Sequence, residues 1–255
     1  MKNILLIATI LISTMAMSQL QGEITYITKK NMHRDLPNDE RGDRMREHIP
    51  EFVEFKNQLL FTSTETVYKN IPTPETTGVD LNEQDRRKQH MMKRMAPAND
   101  VIYCNVEEGL IVEKREFMDK VFLIRDTLNL SQWKMTGEMK EVSGMNCMKA
   151  TYIPKAGDST QIEVWFTPEI AISSGPAGYG GLPGLIVFVD VNNGALQISI
   201  ASTVMREIGE GEIEKPEKGK VVTMTEFDEM RKKKMEQLSK QREGQGGPGR
   251  GGPPR

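Results

Sequence analysis

Thiols, imidazoles and long apolar runs are all scarce in this sequence, and each shortage closes off a class of chemistry. Only two cysteines occur, Cys104 and Cys147, and no second pair at metal spacing completes the four ligands that a structural zinc site needs. Three histidines, His33, His48 and His90, stand in polar segments, and neither a Gly-x-Ser-x-Gly elbow nor a His-Glu-x-x-His helix accompanies them. Triad-type nucleophilic catalysis therefore has no base in place. Beyond residue 18 no apolar stretch approaches the roughly 20 residues that span a bilayer.

What is present begins with MKNILLIATILISTMAMS. One lysine precedes an apolar run from Ile4 to Ile12, and Ala16 and Ser18 take the small-residue positions of a signal-peptidase site, so residues 1–18 read as a secretory signal. No lipobox cysteine sits at the cleavage point, and the expected mature protein starts near Gln19, in the periplasm or associated with the outer membrane. Export carries Cys104 and Cys147 to an oxidising compartment, where a disulfide between them is expected. Closing that 43-residue loop is worth about 4 kcal/mol in the chain-entropy model. Two buried free thiols are the alternative.

The formal net charge of -2 conceals an asymmetry. Residues 231–255 hold eight basic side chains against Glu236 and Glu243, a net +6, which leaves -9 on residues 19–230. An acidic body with a basic tail suggests peripheral contact with an anionic surface, a membrane or an acidic protein. Nucleic acid is not an expected partner outside the cytoplasm. A solvated tail that only maintains solubility is the competing reading.

Short segments rich in β-branched and aromatic residues recur at 22–30, 58–69, 101–106, 109–118, 120–126, 147–154, 160–170, 184–191 and 195–205. Turn chemistry separates them: Glu108-Gly109, Asp119, Lys155-Ala156-Gly157-Asp158 and Asn192-Asn193-Gly194. Strands joined so tightly are antiparallel. Some alternate, as Gln161 and Glu163 do against Ile162 and Val164, whereas LIVFVDV is apolar on both faces and must be covered on both. The expected fold is mainly β, an antiparallel curved sheet or half-barrel over residues 19–205 with one or two peripheral helices. A loop and helix insertion occupies 70–98, its helix capped at Asn82 and ended by Pro97. Residues 206–224 read as a linker. A basic helix follows over 225–242, led by Thr225-Glu226-Phe227-Asp228, and a disordered Gly/Pro/Arg tail over 243–255.

Three groups of residues could carry chemistry. GYGGLPGLIVFVDV, residues 178–191, places Gly178 and Gly180 as a dinucleotide fingerprint would, but the next required position is Pro183 and a strand, not a helix, follows. The segment reads as tight reversals that feed a buried strand, with glycine at positive φ and proline fixing the bend. Glu163, Glu169 and Asp190 lie near it, and paired carboxylates there would suit an envelope hydrolase. Methionine is abundant, with 17 residues, and Met32, His33, His48, His90 and Met91 could hold Cu(I) in an exported metal-handling protein, since thioether and imidazole suit that ion. Adaptable core filler is the plainer explanation of so many methionines.

Gly181-Leu182-Pro183-Gly184-Leu185-Ile186 resembles the hexapeptide that names the GLPGLI family of exported bacterial proteins. VWFTPEIAISSGPAGYGGLPGLI resembles the family's segment leading to that hexapeptide, EVSGMNCMKATY its Gly-x-x-Cys-x-Lys-Ala element, and GEITYITKK its opening strand. The insertion at 70–98, Ala177 after Gly-Pro, and the basic tail depart from the pattern. The resemblance implies an envelope protein without assigned activity, discussed beside outer-membrane receptors. The reading is of a non-enzymatic, cofactor-free half-barrel resembling that of lipoprotein carriers. It would bind an apolar small molecule or a protein partner such as an outer-membrane receptor, with Trp165, Glu169, Tyr179, Leu182 and Pro183 as candidate contacts.

Overall fold

Alternation in the sequence becomes alternation of faces in the opening strand, β1 (Gly22–Asn31), where Ile24 and Tyr26 are fully buried while Glu23, Thr25 and Ile27 between them are not. The structure, a computed structural model, describes residues 20–72, 100–127, 132–154, 157 and 159–244. The expected signal at 1–18, the expected insertion helix with His90 and Met91, turn residues Lys155, Ala156 and Asp158, and the expected tail from residue 245 lie outside the described residues.

Eleven further strands follow: β2 (Phe52–Phe61), β3 (Glu65–Asn70), β4 (Val101–Asn105), β5 (Leu110–Phe117), β6 (Lys120–Thr127), β7 (Trp133–Val142), β8 (Met145–Tyr152), β9 (Ile162–Thr167), β10 (Leu185–Val191), β11 (Leu196–Met205) and β12 (Lys220–Val222). They form one curved, unclosed sheet in the order β12-β6-β5-β4-β3-β2-β1-β11-β10-β9-β8-β7. Two antiparallel meanders, β1 to β6 and β7 to β11, are joined where β11 pairs with β1. Among the described strands only β12 runs parallel to its neighbour, β6. The tightest hairpins carry two residues at positive φ, Met118-Asp119 and Ser143-Gly144, the backbone twist that matches right-handed strands.

Sequence and structure differ at several elements. Residues 58–69 are not one strand: the Thr62 hydroxyl accepts from the amides of Thr64 and Glu65 and turns the chain between β2 and β3. Strand β7 has no apolar alternation to read, because it is exposed along most of its length. The helix α1 (Glu40–Arg46), capped by Asp39 accepting from the Gly42 amide, is short and polar. The basic helix, α2 (Met224–Gly244), is capped two residues earlier than expected: Thr223 and Glu226 form a reciprocal box in which Thr223 Oγ1 accepts from the Glu226 amide and Glu226 Oε2 from the Thr223 amide.

The stretch read as a linker is a strap. Residues 206–219 cross the face opposite the concavity, where Ile213 packs on Val67, Tyr103, Val112 and Leu123. Arg206 anchors it, donating to Glu23 at 3.0 Å and to Glu212 at 2.7 Å. The Arg206 hydrogen bonds, then the Gly209 amide, lower the Glu212 carboxyl to about 2.

The expected disulfide is absent: Cys104 and Cys147 are both free and buried. Cys104 is on β4 and Cys147 on β8, seven strand positions apart in the sheet order and about 33 Å along its contour. A disulfide tolerates Cα separations of about 7 Å at most. Burial pushes the Cys104 thiol up to about 11 and raises that of Cys147 as well.

Two outcomes are expected. Neither cysteine should react with a thiol probe at pH 8 until denaturant is added, and thermal melts with and without reductant should superimpose; a reductant-sensitive melt would contradict the free-thiol assignment. Glu212 stabilises the fold fully above its ordinary value of 4.5, and that contribution is lost as pH falls through about 2. Glu212→Gln should therefore flatten the acid limb of a stability profile across that window, with the wild type retaining the steeper decline.

Candidate functional site

The glycine-rich segment runs between β9 and β10 and fills the concave side of the sheet. Its own backbone folds it into a knot of short reversals: Ser174 bridges to Gly180, the Gly181 amide donates to Ser173 O, Gly184 to Leu182 O, Leu185 to Ile170 O and Ile186 to Ser174 O. These amides already have carbonyl partners, so they do not form an anion cradle. A 3-10 turn at Pro176–Gly178 contacts β3 and β4.

Three side chains from distant strands fasten this plug. Tyr26 on β1 donates its hydroxyl to Ile186 O at 2.7 Å, Trp133 on β7 its indole N–H to Gly180 O at 2.8 Å, and Thr66 on β3 meets the Ser174 hydroxyl at 3.2 Å. Tyr26 is fully buried, and burial raises its pKa well above the ordinary value, so it remains a neutral donor. Glycine is required at position 184, where φ is 148° and a Cβ would stand 2.1 Å from Thr167 O. Position 175 is tight for a different reason, since a Cβ there would meet Ile186 Cβ at 2.6 Å.

The five candidate contacts are not brought together. Leu182 is 3% exposed and belongs to the core, and Tyr179 packs edge-on against Trp133 with ring centroids 6.3 Å apart. Pro183 is exposed at the apex of the reversal. Glu169 ties the plug to the β7–β8 hairpin, accepting from both the amide and the side chain of Asn146. Trp165 lies on the opposite face of β9 from Val164 and Phe166, beneath Lys140, whose Nζ is 4.0 Å from its ring centroid.

Around Trp165 a charged ladder crosses four strands. Lys149 on β8 bridges Glu138 on β7 at 3.4 Å and Glu163 on β9 at 3.3 Å, and Lys140 also overlies Phe188 on β10 at 5.7 Å. Desolvation pulls the Lys149 ammonium down, but its pairing with Glu163 and Glu138 outweighs this and raises its pKa.

The three acids offered for hydrolysis divide. Glu163 and Asp190 are cross-strand partners and line one cleft of about 200 Å³ with Thr151, Tyr152 and Gln161, whereas Glu169 serves Asn146 elsewhere. Asp190 accepts from the Gly194 amide and Gln197, a turn-stabilising role. His33 and His48 each bond a backbone carbonyl, of Ile49 and Arg44 respectively. Among the described residues no group of three or more His, Cys, Asp or Glu could hold a metal, and no helix is long and apolar enough to cross a membrane. Sequence reasoning missed Tyr26, Thr66, Trp133 and Lys140, because nothing local marks a residue whose partner lies across the sheet.

The plug therefore predicts a sharp contrast at neighbouring positions. Leu182→Ala should cost about 2–5 kcal/mol in urea unfolding, and Pro183→Ala less than about 0.5 kcal/mol. Gly184→Ala, which adds strain to a clash, should cost about 3 kcal/mol or more. Equal costs at 182 and 183 would show that the segment is not anchored as described.

The profile of a family described as a protein of unknown function (Porph_ging) matches residues 154–187, the stretch containing β9 and the plug. No curated protein matches the chain in sequence. Among solved structures the chain is similar to PNGF-II in its P21 space group, with a TM-score of 0.52 and 18% identity over 83% of this chain and 33% of that one. It is equally similar to PNGF-II in space group C2, with a TM-score of 0.53 and 17% identity over 83% and 32% of the respective chains. The chain thus spans about a third of the PNGF-II chains it matches, and the likeness is one of fold.

Proposed function

We propose that this chain is an exported cell-envelope protein of the GLPGLI kind that works by binding rather than catalysis, offering the edge of its curved sheet to a protein partner. The observation that supports this reading is the plug. A ligand entering the concavity would have to displace buried Ile172 and Leu182 and break the bonds from Tyr26, Thr66 and Trp133 to the segment. An apolar cargo held inside the half-barrel is therefore disfavoured, and recognition turns outward.

The outward feature best suited to it is β7. It is an edge strand, bonded to β8 on one side only among the described residues, and it is exposed from Lys134 to Glu141. Met135 and Met139 are 43% and 70% exposed, and Ile153 nearby is 49% exposed. A free edge offers backbone donors and acceptors to an extended peptide, and methionine adapts its shape to a partner's side chains. The register shift between Met135 and Met139 interrupts the edge and limits indiscriminate pairing. An outer-membrane receptor or another envelope protein is the partner class this surface fits. The reading calls for no metal or cofactor.

A photo-crosslinking side chain placed at Met139 should give one discrete protein adduct in intact cells, while the same group at Met118, exposed at the far turn between β5 and β6, should give none. Native mass spectrometry of the purified protein should show the bare chain mass. A stoichiometric lipid mass, or indistinguishable adducts from the two positions, would overturn the proposal.

A further inference from the structure

Among the described residues, helix α2 packs on the body through its first turns. Phe227 is buried against Phe122 at 5.4 Å and Phe117 at 6.1 Å, with Met224 and Met230 beside it and Arg115 over its ring at 5.7 Å. From Arg231 onward the described side chains are exposed, Leu238 being half-buried. The helix continues to Gly244, so it carries a rod of about 20 Å past its docking point.

The rod's composition limits what it can meet. Arg231, Lys232, Lys233 and Lys234 are consecutive, and at about 100° per residue four consecutive side chains point to every side of a helix. No face of this turn is free of positive charge, so it cannot lie on a protein core or in an apolar groove. Between Arg231 and Lys240 the only acid is Glu236. A single ion pair, Arg231 with Asp228 at 3.3 Å, draws on these charges among the described residues, and it is exposed at both ends. The rest of the mature chain is strongly acidic, which repels it from any anionic surface and leaves this rod as the part that can approach one.

We propose that the Arg231–Lys240 part of α2 is a docking arm for an anionic lipid surface. Cations at every azimuth match a layer of headgroups, which supplies negative charge on all sides of a rod sunk among them. A folded acidic protein would instead require one positive face. Met235, 55% exposed, and Leu238 one turn further on add an apolar pair able to enter the headgroup boundary. The proposal rests on the export reading for access to a membrane, but not on what binds β7.

Co-sedimentation of the purified full mature chain with vesicles tests it. Binding is expected to vesicles of phosphatidylcholine mixed with phosphatidylglycerol, not to phosphatidylcholine alone, and it should weaken steeply with salt. The triple variant Lys232→Gln, Lys233→Gln, Lys234→Gln should bind about a hundredfold more weakly. A matched triple in the strap and β12, Lys215→Gln, Lys218→Gln, Lys220→Gln, should bind as the wild type does. Thermal melts check that both variants fold. Equal loss in the two triples, or binding that ignores lipid charge, would overturn the assignment. So would concentration-dependent self-association abolished only by the first triple, which would instead assign the arm to the acidic body of a second copy. Because the vesicles contain no protein, a negative result here leaves the crosslinking outcome at Met139 intact, and the reverse holds too.

Discussion

A sheet that is apolar on both faces cannot stand in water until both are covered, and in this protein one chain must supply both covers. The adjacent pairs Val67-Tyr68 on β3 and Leu123-Ile124 on β6 make the demand, since both members of each are buried although they face opposite sides. The concave cover is the plug between β9 and β10. The opposite face of β3 to β6 is covered by the strap, through Ile213, and the concave end near β6 by the first turns of α2, through Phe227. Burying a side chain such as Leu182 or Phe227 contributes about 1.5–3 kcal/mol each, so these short segments are as necessary to the fold as the strands.

A plug made of loop carries more backbone polar groups than a strand does, and each must find a partner away from water. This one resolves the difficulty in two ways. Its own amides and carbonyls pair in short reversals that require glycine at positions such as 184. The groups left over are met by side chains from across the sheet. The register shift between Ile186 and Phe188 marks where β10 departs from a regular ladder, and it is the Ile186 carbonyl at that point which the buried Tyr26 hydroxyl satisfies. Removing one partner of such a pair typically costs about 1–3 kcal/mol, more than the bond itself contributes. The plug is thus held by a few polar contacts that are costly to break, set within a dry apolar surround.

Much of this was legible in the residues. Alternation, turn chemistry and the failure of the dinucleotide fingerprint led to a curved antiparallel sheet and to a structural reading of the glycines. What could not be read were relations across the sheet. Compartment chemistry argued for a disulfide, but whether two cysteines meet depends on strand order, and the join between β1 and β11 puts six strands between β4 and β8. Strand β7 escaped notice because its exposed face and free edge leave no apolar periodicity. The strap looked like a linker because Ile213 alone reports its packing, and one apolar residue is no pattern. The early cap at Thr223 was hidden because Thr225 offers the same spacing to an acid; the side that Phe227 must bury decides between them.

The charged ladder beside β7 bears on how an edge strand could serve recognition at all. An isolated edge frays, and a partner would then have to supply the entropy of ordering it, which weakens association. Here Glu138 on β7 is tied to Lys149, Lys149 to Glu163, and Lys140 is laid over Trp165, so the strand is bound across its neighbours by charge and aromatic contact as well as by its ladder to β8. Exposed ion pairs of this kind contribute little to global stability. Their effect is local: they hold β7 in register with β8 and β9, while among the described residues its outer side has no partner strand. At the inner side Trp133, on the same strand, donates to the plug. The edge is therefore fastened to the filled concavity at one end and to the outer ladder along its length, so the packing that fills the interior also orders the strand that the proposed binding mode would use.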